Sequence, residues 1–162
     1  MSLNYFTKYK CENFFDFKDD LIKLIYEDKN GKSDNNIFKT SYFSKERGEW
    51  FDLFKDKVLK KFSLWFIKNY QVDCFVCETC WYQIYDQNDF HEMHTHAHTN
   101  FTNVFYLQLP SEELVTKMKQ NFTAEEGDLI SFPGFVPHES PKNIYKKHKI
   151  IISFNSSIKI GE

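Results

Sequence analysis

The hydrophobic periodicity of the chain changes abruptly after residue 71, and this change limits the possible folds more than any other feature. Before it, apolar side chains recur every three or four residues in segments 14–27 and 49–70, which predicts two amphipathic helices. Residues 28–41 between them are polar and rich in Asn, and predict a loop. After residue 71 the apolar runs are short or alternating, and turn-forming residues that include all four prolines separate them. The pattern predicts a helical front and a β-rich back.

We predict five strands in the second half of the chain. They span residues 74–85, 92–98, 101–109, 129–132 and 149–154. Several antiparallel strands joined by turns and buttressed by two helices are typical of a mainly β, jelly-roll-like fold. We therefore expect one domain over residues 1–162, with helical support from residues 1–70 and a β core in residues 71–162.

The net charge and the hydropathy of the chain limit the kinds of binding partner that we expect. The formal net charge of −2 gives no reason to expect nucleic acid or a membrane surface as partner. No apolar run approaches the roughly 20 residues of a membrane span, and residues 1–10 lack the apolar core of a signal peptide. We expect a cytoplasmic protein that binds neither nucleic acid nor a membrane. The sequence leaves homodimer formation open.

Three of the four cysteines, Cys74, Cys77 and Cys80, lie in the segment CFVCETC with two residues between each and the next. Thiolates at this spacing can share a zinc ion or a cluster, but no second cysteine pair follows and Cys11 is distant. In a regular strand, Cys74 and Cys80 face one side and Cys77 faces the other. We therefore expect free thiols in a strand rather than a metal site.

The histidines give the clearest indication of a chemical site. His91, His94, His96 and His98 are close in sequence, and His138 follows a Pro-Gly turn. In a continuous strand His94, His96 and His98 point to the same face, where their imidazoles can converge on one ion, whereas His91 has the opposite parity. Catalytic zinc and non-haem iron both bind neutral imidazole and keep open coordination positions. The pattern predicts a metal site and leaves the choice of metal open.

The segments around these histidines resemble two known families. Residues 125–143 resemble the second cupin motif, which implies a double-stranded β-helix; their sequence is EEGDLISFPGFVPHESPKN. YDQNDFHEMHTH resembles the prolyl-4-hydroxylase-like branch of the 2-oxoglutarate–Fe(II) oxygenases, in which a Tyr lies nine residues ahead of an iron-binding His and a second ligand follows two residues later. The matching residues here are Tyr85, His94 and His96.

Residues 81–155 are also similar to an H-x-H group of 2-oxoglutarate–Fe(II) oxygenases that is common in phage and marine bacterial genomes. The motifs of that group are W-x-N, H-x-H, S-G-V-Y-Y-L, G-x-L-V-x-F-P, a His after the turn, and R-I-S-I-x-F-N. The corresponding segments here are WYQ, HTH, TNVFYL, GDLISFP, His138 and KIIISFN. The motifs cover about half of the chain, and together they are more specific than any one of them.

The resemblance implies Fe(II) held by His94, His96 and His138, with no catalytic residue beyond these ligands. The middle ligand of this superfamily is commonly a carboxylate, so a neutral His96 is a departure from the usual pattern. Two alternatives therefore stay open, namely coordination by the carboxylate of Glu92, and His98 in the place of His96.

The resemblance also implies 2-oxoglutarate as co-substrate. Lys149 occupies the position of the basic residue that binds the distal carboxylate of this keto acid, with Lys146 and Lys147 as rivals. Further candidates for the keto-acid site are Tyr85, Tyr106 and Ser153.

The implied function is a 2-oxoglutarate- and Fe(II)-dependent dioxygenase that hydroxylates an unidentified substrate while 2-oxoglutarate is decarboxylated to succinate. Two other functions remain open. One is a three-histidine, cupin-type metalloenzyme that uses no keto acid. The other is a non-catalytic jelly-roll binding module.

Overall fold

The computed structural model of the chain describes residues 6–161. The helices are α1 (Lys18–Glu27), α2 (Glu49–Phe54) and α3 (Lys60–Tyr70). The strands are β1 (Thr7–Lys10), β2 (Lys32–Asp34), β3 (Ile37–Thr40), β4 (Cys74–Tyr85), β5 (His91–His94), β6 (Phe101–Gln108), β7 (Lys117–Met118), β8 (Asp128–Pro133), β9 (His138–Ser140) and β10 (Lys149–Lys159). In the described part of the chain, no helix is long and apolar enough to cross a membrane.

The helical front has the two predicted segments, with one shift of boundary. A π-helical segment, Lys55–Leu59, joins α2 to α3, and the flanking backbone is right-handed helical, so residues 49–70 form one continuous helix as predicted. The first helix begins later than predicted. Phe14–Asp16 form a separate 3₁₀ turn, and α1 begins only after Phe17, whose backbone (φ −128°, ψ −2°) is not helical.

The strands form two antiparallel sheets. The larger sheet has seven strands in the order β1-β8-β6-β10-β4-β3-β2, and the smaller sheet has three in the order β5-β9-β7. Sequence neighbours are mostly not neighbours in the sheets, which is characteristic of a jelly roll. The mainly β architecture with N-terminal helical support is therefore confirmed.

The two faces of the larger sheet have different roles. On one face, Ile150, Ile152 and Phe154 of β10 pack against helix residues such as Phe54 and Phe62. Full burial of each such side chain contributes about 1.5–3 kcal/mol. The opposite face carries a second apolar cluster, in which the alternating residue Ile151 takes part. Because the helices cover only the first face, the second face is left to form a cavity beneath the smaller sheet.

The prediction of a loop over residues 28–41 is wrong, because a hairpin formed by β2 and β3 lies in this segment. β3 pairs with β4 through Lys39 opposite Ile84 and Thr40 opposite Gln83, and so extends the larger sheet. The side chains of β2 are exposed or half-exposed, so this edge strand has no hydrophobic alternation that the sequence could reveal.

The predicted orientation of the cysteines in β4 is also wrong. Asn155 of β10 pairs with Thr79, but the next residue pairs with Cys77, so Glu78 is the extra residue of a β-bulge. A bulge shifts the alternation by one residue. As a result Cys77 and Cys80 lie on the same, helix-facing side of β4. All four cysteines are free thiols, as expected.

Candidate metal centre

Two neighbouring strands of the smaller sheet position His94 and His138. β5 and β9 are antiparallel, and His94 lies directly opposite His138. The strand predicted over residues 92–98 ends at His94, so His96 is carried by the loop that follows. Of the three histidines predicted to share one face, only His94 and His96 converge, whereas His98 is exposed, because the strand that would align it ends at His94.

The loop that carries His96 is held by the turn after β8. The backbone N–H of His96 donates to the carbonyl of Gly134 at 2.8 Å, and the N–H of Gly134 donates to the carbonyl of Asn100 at 3.0 Å. A Cβ atom on Gly134 would lie 2.6 Å from the carbonyl oxygens of both His96 and Thr99. The close approach of the two backbones therefore requires glycine at this position.

His94, His96 and His138 form a compact cluster. One ring nitrogen from each residue lies within 4.8 Å of those of the other two. The ring centroids are 4.3 Å apart for His94 and His138, 5.2 Å for His94 and His96, and 5.1 Å for His96 and His138. Three nitrogen donors at this separation can bind one first-row transition-metal ion.

Hydrogen bonds determine which ring nitrogen of each histidine is free. Nδ1 of His94 lies 2.7 Å from the backbone carbonyl of Glu92, and Nδ1 of His138 lies 3.0 Å from that of Val136. Nδ1 of His96 lies 2.7 Å from the side-chain oxygen of Asn155. Because these oxygens only accept hydrogen bonds, each Nδ1 is the protonated donor. The Nε2 lone pair of each imidazole is thus available to a metal.

Burial keeps two of these imidazoles neutral. Desolvation lowers the pKa of His138 to about 3, and it also lowers the pKa of His96 below its ordinary value. Both side chains are therefore uncharged at pH 7. Neutral imidazole is the form that binds a metal ion, so the fold supplies the required protonation state without further change.

The two alternative ligands named from the sequence lie outside the cluster. The side chains of Glu92 and His98 are exposed, and Glu92 contacts His94 through its backbone carbonyl. His91, by contrast, stacks on His94 with ring centroids 4.0 Å apart. The register of β5 against β9 shifts between His91 and His94, which overrides the parity expected for a regular strand.

Lys149, the first residue of β10, is fully buried and contacts β9 two residues from His138. Its ammonium group donates to Ser140 Oγ at 2.8 Å and to the carbonyl of Leu114. Ser140 and His138 are alternate residues of β9 and face the same side, so about 7 Å of strand separates them. Among residues 6–161 no carboxylate forms an ion pair with Lys149, and burial lowers its pKa to about 7. The rival residues Lys146 and Lys147 are exposed.

The other predicted keto-acid residues differ in their hydrogen bonding. Tyr85 lines the cavity and is 1 % exposed, and its hydroxyl, which lies near Ser140, forms no hydrogen bond of good geometry in the described region. The hydroxyl of Tyr106 is already used, because it donates to Thr116 Oγ1 at 2.9 Å and accepts from the Thr116 N–H at 3.0 Å. Ser153 is buried and lines the cavity.

The three histidines, Tyr85, Ser140 and Ser153 line a cavity of about 720 Å³ between the two sheets, which is large enough for a small-molecule ligand. Sequence reasoning missed two of its buried polar residues. Asn155 orients His96, and Thr102, which lies opposite Asn155 in β6, has a hydroxyl without a hydrogen-bond partner in the described structure. Alternation along β6 and β10 places both on the cavity face, but only the pairing of these strands brings them together.

No family model matches the chain, and no curated protein matches it in sequence. In structure it is similar to the viral collagen prolyl hydroxylase of Paramecium Bursaria Chlorella virus-1 in its 2OG complex, with a TM-score of 0.66, 16 % identity, and 98 % of this chain and 97 % of that chain covered. A Pseudomonas putida prolyl-4-hydroxylase gives a TM-score of 0.66 at 12 % identity, with 99 % and 95 % covered. A 2OG-Fe(II) oxygenase family oxidoreductase from Burkholderia pseudomallei gives 0.71 at 12 % identity, with 94 % and 84 % covered.

At such low identities the likeness concerns the fold. The fit covers almost the whole length of both chains, and these neighbours are of the class that the histidine motifs resemble. The chain therefore has the jelly-roll fold of the 2-oxoglutarate–Fe(II) oxygenases, and its His94, His96 and His138 cluster fits an H-x-H site.

Proposed function

We propose that this chain is a 2-oxoglutarate- and Fe(II)-dependent dioxygenase that hydroxylates a substrate. One observation carries the proposal. Three converging imidazole nitrogens line the cavity, and the buried ammonium of Lys149, which has no counter-charge, is bonded to Ser140 in the cavity wall, about 7 Å along β9 from His138. A metal-chelating dicarboxylate is the kind of ligand that satisfies both groups.

The three histidines suit Fe(II). His94, His96 and His138 supply neutral nitrogen donors whose Nδ1 hydrogen bonds fix the ring orientation. Three protein ligands leave further coordination positions open, as in the non-haem iron oxygenases. Because all three ligands are neutral, the ion keeps its full charge of +2, which favours a dianionic co-substrate.

The deep end of the cavity suits the distal carboxylate of 2-oxoglutarate. A buried ammonium without an anion is unfavourable by several kcal/mol, and the pKa of Lys149, lowered to about 7, expresses this penalty. A carboxylate beside Lys149 restores the missing charge, and the free hydroxyl of Tyr85 can donate to the same group. The ammonium without a counter-charge and the hydroxyl of Tyr85 thus find a partner in one ligand.

When bound, Fe(II) and 2-oxoglutarate together supply oxidative chemistry that uses O₂, yields succinate and CO₂, and hydroxylates a substrate C–H bond. The residues of the chain bind and orient. Lys149 and Tyr85 hold one end of the keto acid, and the histidines hold the metal at the other end. The apolar floor around Ile151 excludes water from the space between them.

The buried Lys149 also bears on the alternative functions. A cupin-type enzyme with three histidines and no keto acid needs the metal cluster but has no use for an ammonium without a counter-charge beside the same cavity. A binding module without catalytic activity needs neither group. We therefore favour the keto-acid-dependent enzyme.

The test is a calorimetric titration of 2-oxoglutarate into the Fe(II)-loaded protein without O₂, followed by measurement of succinate formation in air. Lys149→Met removes the charge but keeps an apolar side chain of similar length. We expect it to weaken 2-oxoglutarate binding by about 2–5 kcal/mol, or roughly 30-fold to several thousand-fold, while iron is retained.

Lys147→Met is the matched control, because Lys147 is exposed and lies two residues away on the same segment. It should bind the keto acid like the original protein. Unchanged binding in Lys149→Met, or wild-type protein that binds iron but forms no succinate from 2-oxoglutarate, would contradict the proposal.

A further inference from the structure

The outer part of the cavity is walled by aromatic side chains that the proposed metal and keto-acid sites do not use. Tyr42 and Phe43 follow β3 and line the cavity, yet they are 58 % and 62 % exposed. Trp81 of β4 lies behind them and is buried. Large aromatic side chains left open at the mouth of a cavity are a feature of ligand-binding surfaces. We call Tyr42, Phe43, Trp81 and the neighbouring Glu78 the vestibule.

The rings of the vestibule meet edge to face. The centroids of Tyr42 and Phe43 are 5.2 Å apart at an interplanar angle of 86°, and those of Tyr42 and Trp81 are 5.0 Å apart at 79°. In an edge-to-face pair the edge of one ring covers one face of the other, but Tyr42 and Phe43 are each more than half exposed, so ring surface stays available to a ligand. Trp81 is also parallel to His96, with centroids 5.9 Å apart, so the vestibule directly adjoins the metal centre.

Among the described residues that line the cavity, acidic side chains are present and Lys and Arg are absent. The acidic side chains are those of Asp34, Glu78 and Glu139. Arg47, which follows the aromatic pair, stacks on Phe51 instead and does not line the cavity. A ligand that enters the vestibule therefore meets negative charge and the electron-rich faces of aromatic rings.

A buried hydroxyl in the same cavity gives an independent sign of a polar ligand. Thr102 is 1 % exposed and lines the cavity, but its Oγ1 has no hydrogen-bond partner within residues 6–161. Buried hydroxyl groups in native proteins are nearly always hydrogen-bonded. Thr102 lies opposite Asn155, which orients His96, so this unpaired group lies on the substrate side of the cavity rather than beside Lys149.

We propose that the substrate presents an organic cation on an apolar stem to the vestibule, as the side chain of a lysyl residue does. The ring faces of Tyr42 and Phe43 bind the cation and its stem, and Glu78 supplies the counter-charge. This inference rests on the proposed function, because it assigns the substrate of the same site. Cation–π contacts of this kind form when the charged nitrogen lies within about 6 Å of the ring centroid.

The lining disfavours the other substrate classes. A phosphorylated or nucleic-acid substrate would meet three carboxylates with no basic residue to offset the repulsion. A wholly apolar side chain could contact the rings, but it would bury Glu78 beside itself without a partner of opposite charge. A cation satisfies both the rings and the carboxylates.

The test compares two small probes that differ in charge. Nα-acetyl-lysine methylamide carries an ammonium group, and Nα-acetyl-norleucine methylamide ends in a methyl group instead. Their binding is measured without O₂ by calorimetry on protein loaded with Fe(II) and 2-oxoglutarate. We expect the lysine probe to bind about tenfold more tightly, which corresponds to roughly 1.4 kcal/mol.

Two variants test the assignment of the vestibule, and each has a matched control. Glu78→Gln keeps the side-chain oxygen that accepts from Ser157 Oγ but removes the charge, and Tyr42→Leu removes a ring face. Each should reduce the preference for the lysine probe to about threefold or less. The controls are Glu46→Gln and Phe15→Leu, which are exposed positions outside the cavity and should leave the preference unchanged.

The titration of 2-oxoglutarate in the same samples distinguishes failure of the proposed function from failure of the substrate assignment. Protein that binds neither Fe(II) nor 2-oxoglutarate would overturn the proposed function. Protein that binds both, but binds the norleucine probe as tightly as the lysine probe or binds neither probe, would overturn the assignment of a cationic substrate alone.

Discussion

At the scale of single residues, the hydrogen bonds of the imidazoles decide what the site can do. A histidine in a sequence motif has two candidate nitrogen donors, and the motif does not specify which one is free. Here the backbone carbonyls of Glu92 and Val136 and the side chain of Asn155 accept from Nδ1 of the three histidines. The site is thus prepared for binding through Nε2 before any metal arrives.

The lowered pKa of Lys149 leads to a prediction about pH. In the keto-acid-free protein the pKa of Lys149 is about 7, whereas the dianion binds to the protonated form. Above pH 7, binding must therefore be accompanied by proton uptake, and the affinity for 2-oxoglutarate should fall by up to about tenfold per pH unit. Titrations between pH 6.5 and pH 9 on Fe(II)-loaded protein without O₂ measure this slope.

The stability of the keto-acid-free protein should change in the opposite direction. The folded-state pKa of about 7 lies below the ordinary value of 10.5, so the unfolded chain binds more protons between these values. The contribution of Lys149 to the free energy of unfolding therefore rises as the pH rises from 7 toward 10.5.

Two results would contradict the role of Lys149 in keto-acid binding. One is an affinity for 2-oxoglutarate that does not change with pH, and the other is an equally steep pH dependence in Lys149→Arg, whose guanidinium stays protonated.

At the scale of elements, two irregularities determine where functional side chains point, and neither is visible in the sequence. The bulge at Glu78 puts Cys77 and Cys80 on one side of β4 and turns Glu78 toward the cavity. The register shift in β5 brings His91 onto His94. Period-two alternation predicts the side chains of a regular strand, but one inserted residue reverses every assignment beyond it.

The turn after β8 carries a prediction at the same scale. A methyl group on Gly134 would collide with the backbone carbonyls of His96 and Thr99, and backbone cannot move aside as a flexible side chain can. We expect Gly134→Ala to lower the free energy of unfolding by about 1–3 kcal/mol and to weaken Fe(II) binding, because the loop of His96 is displaced. Urea unfolding and metal titration measure the two effects.

Gly161→Ala is the matched control for this variant. A Cβ at Gly161 meets the Asp73 carboxylate, a side chain that can rotate away, so both properties should stay close to those of the original protein. If Gly134→Ala unfolds and binds Fe(II) like the Gly161→Ala variant, the turn does not hold the metal loop.

At the scale of the whole molecule, the change of periodicity after residue 71 was sufficient to predict the architecture. The long helix over residues 49–70 and the β core follow from it, because a 3.6-residue period and a two-residue period bury different surfaces. The edge strands β1 and β2 could not be predicted, since their burial is only partial and they are added to the sheet by backbone hydrogen bonds.

The candidate site was only partly predictable for a related reason. His94, His96, His138 and Lys149 stand out by residue type and by resemblance to a family motif. The neighbours that complete the cavity, such as Asn155 and Thr102, are ordinary strand residues whose importance depends on strand order. The pairing of β6 with β10 brings them to the metal centre, and strand order is a property of the whole fold.

The central claim is that three neutral histidines hold Fe(II), and iron stoichiometry measured without O₂ tests it most directly. The original protein and Glu92→Ala should each bind about one iron per chain, because the Glu92 side chain is exposed and outside the cluster. Each of the three ligand variants should lose affinity for Fe(II) by more than the roughly 10- to 100-fold that is typical when a residue hydrogen-bonded to a metal ligand is replaced. These variants are His94→Ala, His96→Ala and His138→Ala. Full iron occupancy in His96→Ala together with loss of iron in Glu92→Ala would contradict the three-histidine site.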